Sequence, residues 1–160
     1  MDPTSDGFLL GRKSYEILGA YWPHVTDPGD VLARQLNTLP KYVVSNTLSN
    51  PSWGPAAVVA GDIGSEITRI KALGDGELQV HGSRQLARSL ISLGLVDEYR
   101  LWVFPVLLGV GERLFGDGLP PGGLRLVASR TSDSGVAVHT YQPTGPIGFG
   151  AFELDPDGAV

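Results

Sequence analysis

Gly7-Phe8-Leu9-Leu10-Gly11-Arg12-Lys13-Ser14-Tyr15-Glu16-Ile17-Leu18 carries a short apolar run between two glycines straight into a stretch of helix-tolerant residues. A strand covered on both faces needs no polar alternation, so Phe8-Leu9-Leu10 reads as an interior strand. Gly11 supplies the turn, residues 12–18 the helix, and Gly19 its end. A strand that feeds a helix in this way is the repeating unit of an α/β protein with a parallel sheet.

The alternation continues along the chain. Asp27 as N-cap and Pro28 at the first helical position start a second helix, with Val31, Leu32, Gln35, Leu36 and Leu39 as its largely apolar stripe and Pro40 as its stop. Tyr42-Val43-Val44 and Ala57-Val58-Val59-Ala60 read as further interior strands. The stretch between them, Asn46 to Pro55, contains Asn50-Pro51 and Gly54-Pro55 and has loop chemistry. Ile63, Ile67, Ile70 and Leu73 mark a helix that Gly74 ends, and Glu77 to His81 a strand. Leu86, Ala87, Leu90, Ile91 and Leu93 define a helix closed by Gly94, and Tyr99 to Val106 a strand. The tail differs: Leu124 to Ser129 and Val136 to Tyr141 are strand-like runs joined by the polar Thr131-Ser132-Asp133-Ser134-Gly135, which predicts an antiparallel hairpin. Residues 1–144 read as one domain and residues 145–160 as a loosely attached extension pinned by Phe149 and Phe152.

Composition narrows the function. The chain has 160 residues, 42% hydrophobic and 18% charged, an ordinary globular balance without an apolar run long enough to span a bilayer. Its net charge of −5 and lack of an aromatic-plus-basic stripe argue against nucleic acid as a partner. The absence of cysteine removes disulfides, thiolate nucleophiles and cysteine-ligated metals. His24, His81 and His139 lack the spacing of a helical metal site, so no metal is expected. The polar start, Met1-Asp2-Pro3-Thr4-Ser5-Asp6, lacks the basic and apolar regions of a signal peptide, and a cytoplasmic location is expected.

Four places have the residue types of a binding site. At Gly11-Arg12-Lys13-Ser14 a strand meets a helix start, where unpaired backbone N–H groups, the helix dipole and two cations suit phosphate. A solvated basic helix start would look the same. Val80-His81-Gly82-Ser83-Arg84-Gln85 repeats the geometry, with a tight glycine turn and a capping serine as the alternative. Ligands of open α/β sheets lie beyond the carboxyl ends of the strands, so two such corners can share one dinucleotide. Ser45-Asn46-Thr47 ends a strand on that same edge and suits a ribose phosphate, or serves as a plain turn. Phe104-Pro105, before the glycine-containing loop 107–111, offers a face to a flat ligand or simply ends a core strand.

Taken in order, Leu9 to Glu16, Tyr21-Trp22-Pro23, Leu39 to Ser45, Val80 to Ser83, Leu95 to Leu101, Phe104 to Gly109 and Gly111 to Phe115 resemble the dihydrofolate reductase-like proteins related to the C-terminal reductase domain of bacterial riboflavin biosynthesis. The resemblance implies a three-layer αβα fold with a mostly parallel sheet and an antiparallel C-terminal hairpin. It implies NADPH as cofactor, with Gly11, Arg12, Lys13 and Ser14 near its phosphates, Ser45, Asn46 and Thr47 near the adenosine 2′-phosphate, and Gly82, Ser83, Arg84 and Gln85 at the pyrophosphate. Phe104 and Pro105 would stand near a small substrate of pteridine, pyrimidine or carbonyl type. The resemblance identifies no catalytic residue.

Family members usually carry a Ser-Leu-Asp-Gly-like strand and a helix ahead of the segment corresponding to Phe8 to Glu16, and this sequence shows no counterpart. That departure, with the apolar stretch from Tyr99 to Leu108, leads us to expect a homodimer that covers an open strand edge. Two functions follow: an NADPH-dependent reductase, or a nucleotide-binding or assembly module that keeps the fold without turnover.

Overall fold

Phe8 and Leu10 are completely buried and Leu9 is 1% exposed, the cover on both faces that their continuous apolar run requires. The computed structural model describes residues 5–148 and 150. Its elements are β1 (Ser5–Gly11), α1 (Arg12–Tyr21), a 3-10 turn (Trp22–His24), α2 (Val31–Thr38), β2 (Lys41–Val44), β3 (Ala56–Val59), α3 (Ile63–Lys71), β4 (Glu77–Val80), α4 (Arg84–Ser92), β5 (Tyr99–Val103), β6 (Gly123–Thr131) and β7 (Ala137–Gly145). The chain divides into two compact units, one of residues up to Leu95 with Glu112–Leu119, the other of Val96–Gly111 with the residues from Pro120 onward.

The first unit holds a parallel sheet of order β3-β2-β1-β4. Phe8 pairs with Lys41 and Leu10 with Val43 on one side of β1, and Phe8 pairs with Gln79 on the other. Phe8, Leu10 and Val43 share a face and pack with Tyr15 of α1, Leu36 of α2 and Trp53. Leu9 points the opposite way by the period of two. Ile67 and Ile70 of α3 and Leu86 and Leu90 of α4 are buried outside that cluster. Right-handed crossovers account for the two helix layers, since α1 leads from β1 toward β2 while α3 leads back from β3 to β4.

Several local details differ from the sequence reading. The cap of α2 is Asp30, whose Oδ1 accepts from Ala33 N at 2.9 Å, and not Asp27. Asp27-Pro28-Gly29 forms a turn instead: Asp27 Oδ1 accepts from Gly29 N at 2.8 Å and its carbonyl from Asp30 N at 3.1 Å. Aspartate before Pro-Gly favours its own local turn, and the helix waits for the next acid. Gly19 does not end α1, which runs on to Tyr21. A Cβ there would stand 3.3 Å from the Trp53 ring, so this glycine serves close packing rather than termination.

Trp53 explains why the 46–55 loop is ordered. Its backbone N–H donates to Tyr15 Oη at 2.6 Å, its carbonyl accepts from the same hydroxyl at 3.0 Å, and its indole N–H donates to Asn37 Oδ1 at 2.9 Å. Lys41 is wholly buried beside it, with Nζ 4.6 Å from the ring centroid and donating to the Leu39 carbonyl at 2.8 Å. Burial lowers the Lys41 pKa to about 8.

In the second unit β7 lies between β5 and β6 in an antiparallel sheet. The hairpin expected from the sequence is present, turning through Ser132, whose carbonyl accepts from Gly135 N at 2.9 Å and whose N–H donates to Val136 O at 3.0 Å. β5 stops at Val103, three residues before the expected end. Val106 N bonds back to Phe104 O at 2.9 Å around Pro105, a tight turn that removes both residues from a ladder. Phe149 and Phe152 lie outside the described residues.

Candidate functional site

The carboxyl ends of β1 and β4 sit side by side, and the chain leaves β1 toward β2 on the far side. In open α/β sheets ligands bind beyond the carboxyl ends of the strands. Two hydrogen bonds join the corners here: Gly11 N donates to Ser83 Oγ at 2.9 Å, and Ser14 Oγ donates to the Gly82 carbonyl at 3.1 Å. Gly82 sits at φ +63°, a left-handed turn that glycine adopts without strain.

This stitching has a consequence for both helices. Ser83 spends its hydroxyl on the neighbouring corner and gives α4 no cap, and Gly11 has no side chain to cap α1. Neither first turn carries an acid, and they contribute Arg12, Lys13 and Arg84. A helix start with uncapped N–H groups and cations is poor for stability and well matched to an anion.

Arg12 extends the site to a third strand end. Its Nη1 donates to Thr47 Oγ1 at 2.6 Å and its Nε to Glu16 Oε1 at 2.7 Å. Ser45 Oγ accepts from Thr47 N at 3.2 Å and Leu48 N at 3.0 Å, closing the turn after β2 with Asn46 exposed on it. Gly11, Arg12, Ser14, Ser45, Thr47, Gly82 and Ser83 thus form one connected edge, and Lys13 is exposed on the first turn of α1.

Arg84 and Gln85 open α4 and line a shallow groove of ≈ 530 Å³ with Arg88 and Ser89. Arg84 Nε is paired with Glu112 Oε2 at 2.5 Å, and Arg88 Nη2 donates to the Asp117 carbonyl at 2.5 Å, so both arginines tie the 112–119 segment to α4. Phe104 and Pro105 belong to the second unit; Phe104 is exposed, and Pro105 stands near Gly135.

His81, just after β4, bonds through Nε2 to Gln79 Oε1 at 3.0 Å and packs edge-on with Phe8, ring centroids 5.6 Å apart. Burial lowers its pKa, which keeps the imidazole neutral at neutral pH. The sequence places His81 in the Val80–Gln85 corner without giving it a role of its own, and Glu16 only at the end of the Leu9–Glu16 segment; the signal available for Glu16 was its place four residues after Arg12, the spacing of a helical ion pair. Among the described residues no group of three or more His, Asp or Glu side chains is placed to hold a metal, and no helix is long and apolar enough to cross a membrane.

A four-stranded parallel sheet with helices between its strands, and an edge of hydroxyls, glycine backbone and guanidinium groups at its carboxyl ends, define a protein of the α/β class. The chain belongs to the RibD C-terminal domain family, whose model matches residues 1–138. It is 35% identical over 142 residues to the uncharacterized protein YyaP of Bacillus subtilis (strain 168), covering 88% of this chain and 75% of that one. Its fold is similar to that of a protein ascribed to riboflavin biosynthesis from Shewanella sp. PV-4, with a TM-score of 0.71 at 24% identity over 87% of this chain and 74% of the other. It is also similar to a pyrimidine reductase-like protein from Corynebacterium diphtheriae, with a TM-score of 0.58 at 15% identity over 87% and 76% of the two chains.

Proposed function

We propose that the chain is an NADPH-dependent reductase of a small pteridine-, pyrimidine- or other carbonyl-type substrate, acting in the cytoplasm as a homodimer. The observation that carries this reading is the joining of three strand ends into one donor-rich edge by the Gly11–Ser83, Ser14–Gly82 and Arg12–Thr47 bonds. Membership of the RibD C-terminal domain family supports a reductase, and the similarity to a pyrimidine reductase-like protein supports the substrate class. Exposed Trp102, Val103, Phe104, Val106, Leu107 and Leu108 support a partner chain in the second unit.

The fit to a dinucleotide rests on the donor set. The first turn of α1 and the side chains of Arg12, Lys13 and Ser14 hold phosphate oxygens. Ser45, Asn46 and Thr47 hold the 2′-phosphate with Arg12, and Gly82, Ser83, Arg84 and Gln85 the pyrophosphate. When bound, the reduced nicotinamide supplies a hydride. The protein's own part is to orient: uncapped N–H groups and a guanidinium already held by two partners need little reorganisation to receive an anion. Phe104 and Pro105 offer the flat apolar face for the substrate.

Titration calorimetry with NADPH and NADH tests this without knowledge of the substrate. Charge-assisted bonds to the 2′-phosphate should favour NADPH by roughly ten- to hundred-fold, and Arg12→Ala should remove most of that preference. A folded sample that binds neither nucleotide overturns the reading.

A further inference from the structure

Glu16 is the carboxylate bonded to Arg12 at the α1 end of the donor-rich edge, as Glu112 is to Arg84 at the start of α4, in a set otherwise made of hydroxyls, backbone groups and cations. It pairs with Arg12 through Nε, while Thr47 holds the same guanidinium through Nη1. A guanidinium has five N–H donors in a rigid fork, so these two contacts fix its plane and leave further donors for an incoming anion. Arg12 also stands at the positive end of α1, where a cation is disfavoured by the dipole and a nearby acid offsets the cost.

Resting on the reading of this edge as the seat of the NADPH 2′-phosphate, we infer that Glu16 is the specificity-determining residue that sets how strongly the site prefers NADPH over NADH, through its juxtaposition with Arg12 and Thr47. Glu16 acts in two opposed ways. Its oxygen orients Arg12, which favours the phosphate, and its negative charge repels that phosphate and offsets part of the Arg12 attraction. The pair is about half exposed, 47% on each side, so the repulsion acts through a screened, water-like medium and the effect is moderate. NADH lacks the 2′-phosphate and meets Arg12 only through the phosphates it shares with NADPH, so it feels less of either.

Glu16→Gln separates the two roles, because the amide oxygen still accepts from Arg12 Nε while the charge is gone. Titration calorimetry should show NADPH binding tightened by about three- to ten-fold with NADH within two-fold of the wild type, and the gain should shrink as salt is raised from 50 to 500 mM. Glu16→Ala loses the orienting oxygen as well and should bind NADPH more weakly than Glu16→Gln does. Thermal melting of each variant checks that the fold is kept, which the exposure of this ion pair predicts. If the wild type prefers NADPH but Glu16→Gln binds it no more tightly, the selectivity role of Glu16 falls and the cofactor reading stands. If the wild type binds neither nucleotide, or both alike, the cofactor reading fails and takes this inference with it.

Discussion

Helices α2 and α3 begin on aspartates; α1 and α4 begin on Gly11 and Ser83, which give them no side-chain cap. In α3 Asp62 accepts from Ser65 N at 2.9 Å, Glu66 occupies the first turn, and Arg69 and Lys71 the last, so every charge runs with the dipole. In α1 the arrangement is reversed: Arg12 and Lys13 occupy the first turn and no base the last. The two uncapped helices open directly after β1 and β4, which pair with each other, whereas α2 precedes β2 and α3 follows β3 at the other end of the sheet. Stability and anion binding make opposite demands on a helix N-terminus, and the proposed site falls on the two helices that lack a side-chain cap.

The sharpest way to break this comparison is Ser83→Ala. In α2 or α3 the loss of a cap would fray one turn, but the Ser83 hydroxyl is the acceptor for Gly11 N. Its removal should destabilise the fold by about 1–3 kcal/mol in denaturant unfolding and loosen nucleotide binding at the same time. An unchanged midpoint would show that the two corners are held together by something else.

Gly11→Asp converts α1 to the other kind of start. The backbone there, φ −75° and ψ 156°, suits an N-cap, and a Cβ would make only ordinary contact with Ser83 Oγ at 3.6 Å. The variant should gain a few tenths of a kcal/mol in stability, since aspartate is only slightly better than glycine as a cap. It should lose about ten-fold or more in affinity for either nucleotide, because a carboxylate would occupy the anion's place. Retained affinity would remove the α1 start from the site.

The smallest expected effect lies on α3. The Ser65 side chain, then the Ser65 N–H, bond the Asp62 carboxylate and lower its pKa below the ordinary carboxylate range. A carboxyl group whose folded pKa is depressed contributes stability that is complete above its unfolded pKa and is lost as the pH falls through the folded one. Asp62→Asn, which keeps an acceptor oxygen, should therefore flatten the acid limb of a stability–pH curve slightly and leave nucleotide affinity unchanged. A change in affinity would mean that the capped helix also serves the site.

Much of the fold was legible because its signals are local. Phe8-Leu9-Leu10 and Tyr42-Val43-Val44 show buried strands by composition alone, residues 12–18 a helix by their helix-tolerant types, and residues 86–93 a helix by period. Errors fell where a second contact, long-range or local, overrode the first signal. Gly19 has the look of a helix stop, yet the Trp53 ring packed against it lets the helix continue. Asp27-Pro28 has the look of a helix start, yet the following Gly29 favours a turn. Lys41 reads as an ordinary charged residue before a strand, and nothing nearby in sequence announces its burial against Trp53.

The sequence by itself determined the order of strands and helices, the antiparallel hairpin and the cationic residue types at two strand-to-helix corners, because hydrophobic period, capping and turn chemistry act over a few residues. Only the tertiary structure decided that those corners are joined. Gly11 and Ser83 are 72 positions apart, and Arg12 and Thr47 are 35 apart. The same structure decided that Ser83 gives up its cap to join the corners. Which hydroxyl meets which N–H across such separations is settled by the strand order β3-β2-β1-β4, a property of packing that no local pattern encodes.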